Sequence, residues 1–207
     1  MNKNHFCHIY LVRHGETDSN KSGYIQSITD NPLNETGVLQ CKVLNKQFQD
    51  IEFSAAYCSN LSRTRTTAEL ILAPRNLHIE VTPSINECYA GKWEGTPIKE
   101  FLNMIKQNRP PAHITTREDY MSHKHDPDLE SLMSIYRRVE KFILGIAPSH
   151  YNQKILMCSH GGVILSFLNY FKFVYGREWH IPNGAFLELK ANADSISLIR
   201  YEGIKFD

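Results

Sequence analysis

Two histidines in this chain each follow a short apolar run and precede a glycine. His14 lies in Arg13-His14-Gly15-Glu16-Thr17, directly after His8-Ile9-Tyr10-Leu11-Val12. His160 lies in His160-Gly161-Gly162, directly after Lys154-Ile155-Leu156-Met157-Cys158-Ser159. Near pH 7 the neutral imidazole predominates, and it attacks phosphorus without help from a strong base. Its neighbours must then neutralise the phosphoryl oxygens and protonate the leaving alkoxide. Arg13 offers a planar guanidinium to two such oxygens. Arg63 falls in the first turn of a predicted helix, where the dipole disfavours a cation, so it fits an anion held between the helix start and the guanidinium. Arg65, two residues on, points elsewhere. Glu87 is the candidate acid, because the Gly91-Lys92-Trp93-Glu94-Gly95 loop beside it offers partial desolvation, which raises a carboxyl pKa.

Each residue alone has an ordinary explanation. An Arg-His-Gly is a common strand exit, His160 suits a satisfied buried histidine, Arg63 a solvated helix charge and Glu87 a surface carboxylate. Together, two His-Gly strand ends and an arginine at a third describe an anion pocket at the carboxyl edge of a sheet. Residue types alone leave phosphate and carboxylate both open as the anion. His123 and His125 beside Asp126 have poor spacing for zinc, so no metal site is expected.

The positioning elements follow from periodicity. Strands are predicted near 8–12, 53–59, 79–82, 154–159, 185–190 and 195–201, the last two joined as a hairpin at Asn192-Ala193-Asp194. Helices are predicted at about 36–49, 61–72, 97–107, 129–146 and 162–173, with Asn34 among the caps of the first and Pro97 at the first turn of the third. Strands alternating with helices predict a three-layer α/β/α sandwich with a mostly parallel central sheet. The irregular stretch 108–128, with Pro110, Pro111 and Pro127, is expected to form a lid or specificity excursion from a single domain spanning 1–207. Its basic residues Arg109, His113, Arg117, His123, Lys124 and His125 either meet a second anionic group on a substrate or are solvated. Tyr24, Cys88 and Tyr89 are further candidates for the pocket wall.

The chain has 207 residues and a net charge of +1, which argues against general attraction to nucleic acid or an anionic membrane. Five cysteines without a close pair give neither a disulfide framework nor a zinc pattern. A reducing, cytoplasmic location is the expectation, with no signal peptide and no membrane span. The sequence leaves the oligomeric state open.

The motifs, taken in order, resemble the histidine phosphatase superfamily in its phosphoglycerate-mutase-like branch. The likeness rests on Leu11 to Thr17 with Asn20; on Asp30, Pro32, Leu33, Gly37 and Gln40; on Ser59, Leu61, Arg63, Thr67, Ala68 and Glu69; on Glu87 with Gly91, Trp93, Glu94 and Gly95; on Glu130-Ser131 with Arg138; on Ser159 to Ile164; and on Asn183. It implies a phosphoglycerate-mutase-like fold and a metal-independent phosphomonoester hydrolase without a cofactor, acting on a small phosphorylated metabolite. It further implies that His14 becomes phosphorylated and Glu87 donates the proton. Arg13, Arg63 and His160 would hold the phosphoryl group, with Asn20, Gln26 and Gly161 contributing to substrate binding. Ser27, Thr66, Cys88 and Leu129 depart from the family pattern, and Cys88 and Leu129 bear on substrate contacts. A mutase and a binding protein with little turnover are the alternatives. The length of the chain and the lack of an arginine-rich clamp after Glu87 favour the phosphatase.

Overall fold

The computed structural model describes residues 5–173 and 179–206. The apolar runs form strands β1 (Cys7–Arg13), β2 (Phe53–Cys58), β3 (Ile79–Val81) and β4 (Lys154–Ser159). Later come β5 (Trp179–His180), β6 (Phe186–Ala191), β7 (Ile196–Glu202) and β8 (Lys205–Phe206). The main sheet has six strands in the order β3-β2-β4-β1-β6-β7. β1 to β4 pair in parallel, whereas β6 runs antiparallel to β1 and β7 antiparallel to β6. β5 and β8 form a separate antiparallel pair that the sequence did not signal; two-residue strands are too short to carry periodicity.

The helices are α1 (Asp18–Lys21), α2 (Glu35–Gln47), α3 (Ser62–Leu72), α4 (Ile98–Gln107), α5 (Arg117–Ser122), α6 (Leu132–Ile146) and α7 (Gly161–Lys172). Because side chains alternate along a strand, each central strand feeds two cores. Ile9, Leu11, Ile155 and Met157 pack with Ile135, Val139, Val163 and Phe167 of α6 and α7. Tyr10, Val12, Leu156 and Cys158 pack with Leu44 and Phe48 at the end of α2 and with Ala68 and Ile71 of α3. The result is the expected α/β/α sandwich.

Three expectations need correction. The predicted helix at 129–146 starts at Leu132, because Ser131 caps it by accepting from the Ser134 amide. The 108–128 excursion contains α5, capped by Thr116; its Met121 is fully buried and its Tyr120 packs against the same core. The predicted helix to about 173 ends at Lys172. All five cysteines are free. Among the described residues no helix is long and apolar enough to cross a membrane.

Candidate active site

β1 and β4 are adjacent and in register, with Arg13 opposite Ser159, so the residues that follow them emerge side by side. The His14 and His160 rings lie edge to face, 5.3 Å between centroids, and both are buried. His14 Nδ1 lies 2.7 Å from the Gly15 carbonyl oxygen. A carbonyl only accepts, so Nδ1 carries the proton and Nε2 keeps its lone pair for attack. The His14 peptide is held on both sides, its N–H donating to Ser159 O and its carbonyl accepting from Asn183 Nδ2 at 3.0 Å. Gly15 is needed for approach, since a Cβ there would sit 2.6 Å from the Gly37 carbonyl oxygen.

Three buried nitrogens have no hydrogen-bond partner among the described residues and belong to the proposed phosphate cluster: Arg13 Nε, Arg63 Nε and His160 Nδ1. Buried polar atoms in folded proteins are normally paired, so these three mark hydrogen-bonding capacity awaiting a ligand. Their supports are built in. Arg13 Nη1 donates to Ile181 O. Arg63 Nη1 and Nη2 donate to Thr29 O at 2.8 Å and Ser27 O at 2.9 Å. His160 Nε2 is 2.8 Å from Ser59 Oγ. At the start of α3, Asp30 accepts from both Ser62 N and Ser62 Oγ, so the first helix amide is already engaged.

Glu87 sits against the start of α7. Its Oε1 accepts from Cys88 N at 2.8 Å and Gly162 N at 3.0 Å, so Oε2 is the oxygen open to a proton. Gly162 permits this, because a Cβ there would lie 2.5 Å from Oε1. Desolvation raises the Glu87 pKa; the two amide bonds and the two arginines oppose it only in part. Burial, helped by Arg13 and Arg63, holds His14 well below the usual histidine value. Burial, Arg63 and His14 do the same for His160. The unliganded site thus pairs a neutral imidazole with a carboxyl inclined to keep its proton.

The remaining candidates divide. Asn20 Oδ1 accepts from Asn183 Nδ2 at 3.1 Å and from Thr17 N at 3.2 Å, which locks the loop after β1. Gln26 donates to Thr17 Oγ1 and accepts from Asn31, so its amide is spent on scaffolding although it lines the cavity described next. Gly161 packs against Arg13, with an added Cβ 3.3 Å from Nε. Tyr24 is 47% exposed and Tyr89 is 53% exposed, and neither lines that cavity.

A cavity of about 380 Å³ opens beside Glu87 and Gly162. Cys88 lines it, its thiol pushed up in pKa by burial and by Glu87. Leu129 lines it too, so both departures from the family pattern near the acid fall on its wall. Of the basic residues in the excursion, Arg109, His123 and His125 line the cavity. His123 Nε2 and His125 Nδ1 both donate to Asn108 O at 2.9 Å, and Asp126 pairs with Lys92. Among the described residues no group of three or more metal-ligating side chains comes together.

Thr67, Glu130 and Arg138 stood among the family-like motifs, but their contacts could not be read there. Thr67 Oγ1 receives the Gly15 amide, and Arg138 donates to the Glu87 carbonyl, the Ser84 carbonyl and the Glu130 carboxylate. These partners are far apart along the chain and leave no local signal. The cavity wall on α4 did leave one: Phe101, Leu102 and Ile105 share a face at helical spacing.

Two histidines at neighbouring parallel strand ends, buried Arg63 with half-buried Arg13, and a desolvated glutamate fit an enzyme that acts on a phosphorylated compound. The sequence model of the histidine phosphatase superfamily (branch 1) matches residues 9–203. The chain belongs to that superfamily and is a phosphatase by class. It is 30% identical over 156 residues to the adenosylcobalamin/alpha-ribazole phosphatase of Escherichia coli strain K12, covering 75% of this chain and 74% of that protein. It is also 30% identical to phosphoserine phosphatase 1 of Hydrogenobacter thermophilus, over 73% of this chain and 70% of that one. In fold it resembles the phosphoserine phosphatase of Entamoeba histolytica solved with 3-phosphoglyceric acid (TM-score 0.76, 23% identity, 94% of this chain and 96% of that one).

Proposed function

We propose that the protein hydrolyses small phosphomonoesters through a phosphohistidine on His14, without a metal or other cofactor. One observation carries this reading: His14 keeps a free Nε2 lone pair, because its Nδ1 proton is given to Gly15 O. The unpartnered nitrogens of Arg13, Arg63 and His160 supply the donors that such a transfer needs.

In the proposed path Nε2 attacks phosphorus in line. The P–N bond forms as the P–O bond to the leaving group breaks, and Glu87 gives its proton to the departing oxygen. Arg13 and Arg63 neutralise the oxygens of the transferred group. The arriving phosphate charge raises the His160 pKa, so that it joins them as a cation. Water then takes the leaving group's place, loses a proton to Glu87 and releases inorganic phosphate from His14. The names of the relatives make alpha-ribazole phosphate and phosphoserine the first compounds to try. The five free thiols fit a reducing, cytoplasmic setting, and the substrate is the one partner the site calls for.

The test is acid-free denaturation of the enzyme during turnover of a ³²P-labelled phosphomonoester, with EDTA present. Alkali-stable, acid-labile label on the peptide containing His14, absent from His14→Ala, is expected. Full activity in His14→Ala, or activity that EDTA removes, rejects the reading. Running 3-phosphoglycerate in parallel, scored for isomer as well as for free phosphate, separates hydrolase from mutase.

A further inference from the structure

Two of the residues that depart from the family pattern, Ser27 and Cys88, meet behind the acid. Ser27 lies in the loop between α1 and α2 and is buried. Its hydroxyl donates to the Cys88 carbonyl at 2.6 Å and accepts from the Ala90 amide at 3.2 Å. Its backbone is committed elsewhere. The Ser27 N–H donates to Glu94 Oε1 at 3.0 Å, and the Ser27 carbonyl accepts from Arg63 Nη2 at 2.9 Å. One residue thus joins an arginine of the proposed phosphate cluster to the segment that follows Glu87.

Cys88 carries the tie to the acid. Its N–H donates to Glu87 Oε1 at 2.8 Å, while its carbonyl is taken by Ser27. On the opposite side Glu130 accepts from the Tyr89 amide, and Arg138 donates to the Glu87 carbonyl. The 87–90 segment is therefore clamped between the α6 side and the Ser27 hydroxyl. Removing that hydroxyl strands the Cys88 carbonyl and the amide of Ala90, itself a buried residue, and stranded backbone groups move to find partners. The hold on Arg63 is separate. Glu94 Oε1 accepts from Ser27 N and Thr29 N, and the carbonyls of the same two residues accept from Arg63. These four bonds need no Ser27 side chain.

We propose that Ser27 is a positioning residue for the proton donor: its hydroxyl, acting through Cys88, fixes the Glu87 carboxylate relative to the Arg63 guanidinium. This rests on the proposed roles of Glu87 as acid and Arg63 as phosphate holder. A hydroxyl that served the fold alone would not discriminate between leaving groups, whereas one that places the acid must.

The experiment is steady-state kinetics of the wild type, Ser27→Ala, Glu87→Gln and the double variant on benzyl phosphate and 4-nitrophenyl phosphate. Only the first releases an oxygen that needs a proton. Ser27→Ala is expected to lower kcat on benzyl phosphate about tenfold and to leave kcat on 4-nitrophenyl phosphate nearly unchanged. KM and inhibition by inorganic phosphate should stay within about twofold of wild type, because the Arg63 supports persist. In the Glu87→Gln background Ser27→Ala should cost nothing further on benzyl phosphate, since residues acting as one unit do not add. Ser27→Gly removes the same hydroxyl without leaving a methyl group and is read in the same way where Ser27→Ala melts below the assay temperature. An equal loss on both esters, no loss on either, or a full additional loss in the double variant overturns the proposal. A selective loss in Glu87→Gln beside an unselective Ser27→Ala rejects the positioning role alone. An unselective Glu87→Gln rejects the acid itself, and the role of Ser27 falls with it.

Discussion

In the proposed path His14 and Glu87 titrate in opposite senses. His14 is required neutral there, and its pKa is held well below 6.5 by burial and by Arg13 and Arg63, so activity should fall only once pH drops through that depressed value. Glu87 is required protonated in the first step of that path, and its pKa is raised above 4.5 by desolvation, so activity should fall as pH rises through that raised value. The expected kcat/KM profile is a bell displaced to the acid side of neutral. Glu87→Gln should lose the alkaline limb and about 10²- to 10⁴-fold in kcat on alkyl phosphates. The loss should be much smaller on 4-nitrophenyl phosphate, whose phenolate departs without protonation. A uniform loss on both substrates would show that Glu87 is not the acid. At this scale Arg13, His14 and His160 could be read from the sequence because each ends an apolar run. Glu87 could be named only from the loop beside it, and the amides of Cys88 and Gly162 that hold its carboxylate left no trace there. Tyr24 and Tyr89 are each about half exposed and lie outside the wall of the cavity beside Glu87, Tyr89 lining a neighbouring pocket instead.

A close backbone approach and a side-chain clasp hold the elements together. A Cβ on Gly37 would lie 2.2 Å from the Glu16 carbonyl oxygen, where α2 meets the loop after β1. Gly37→Ala should therefore cost about 1–3 kcal/mol, measured as a lowered urea midpoint with an unchanged slope. Arg138 of α6 clasps the Glu87 carbonyl at 3.1 Å, which makes it a positioning residue for the acid. Arg138→Ala should reduce kcat about tenfold or more with little change in KM, and Arg138→Lys should recover part of the loss. A pure stability effect would lower the melting temperature without that split. The long helices and central strands were legible because their apolar periods are strong. α5 and the β5–β8 pair were not, since one short helix and two-residue strands owe their existence to packing rather than to local pattern.

In the whole molecule, buried Arg63 and half-buried Arg13 contribute two of the site's three buried nitrogens without a partner among the described residues, and His160 the third. An oxyanion that binds these groups stabilises the fold by mass action. At a hundred times its dissociation constant, inorganic phosphate or vanadate should add about 2.7 kcal/mol, seen as a rise in melting temperature. His14→Ala should keep most of that rise, since the arginines remain, whereas Arg63→Ala should lose it. The pH dependence of stability has a definite sign as well. Folded His14 and His160 resist protonation, so the unfolded chain binds more protons below about pH 6.5 and stability declines as pH falls through that range. Neither the burial of Arg63 nor the empty hydrogen-bonding capacity could be seen in the sequence. Both arise only when the edges of β1, β2 and β4 are brought to one place.

Glu87 is part of the wall of the cavity, and in the proposed path this gives the enzyme two competing acceptors. An alcohol still lodged there after the first step occupies the approach that water needs, and it can take the phosphoryl group back. Each turnover then becomes a race between departure of the alcohol and return of the group to it. With rising concentrations of an added alcohol, the yield should pass from inorganic phosphate to newly made ester, while total consumption of the donor holds steady or climbs.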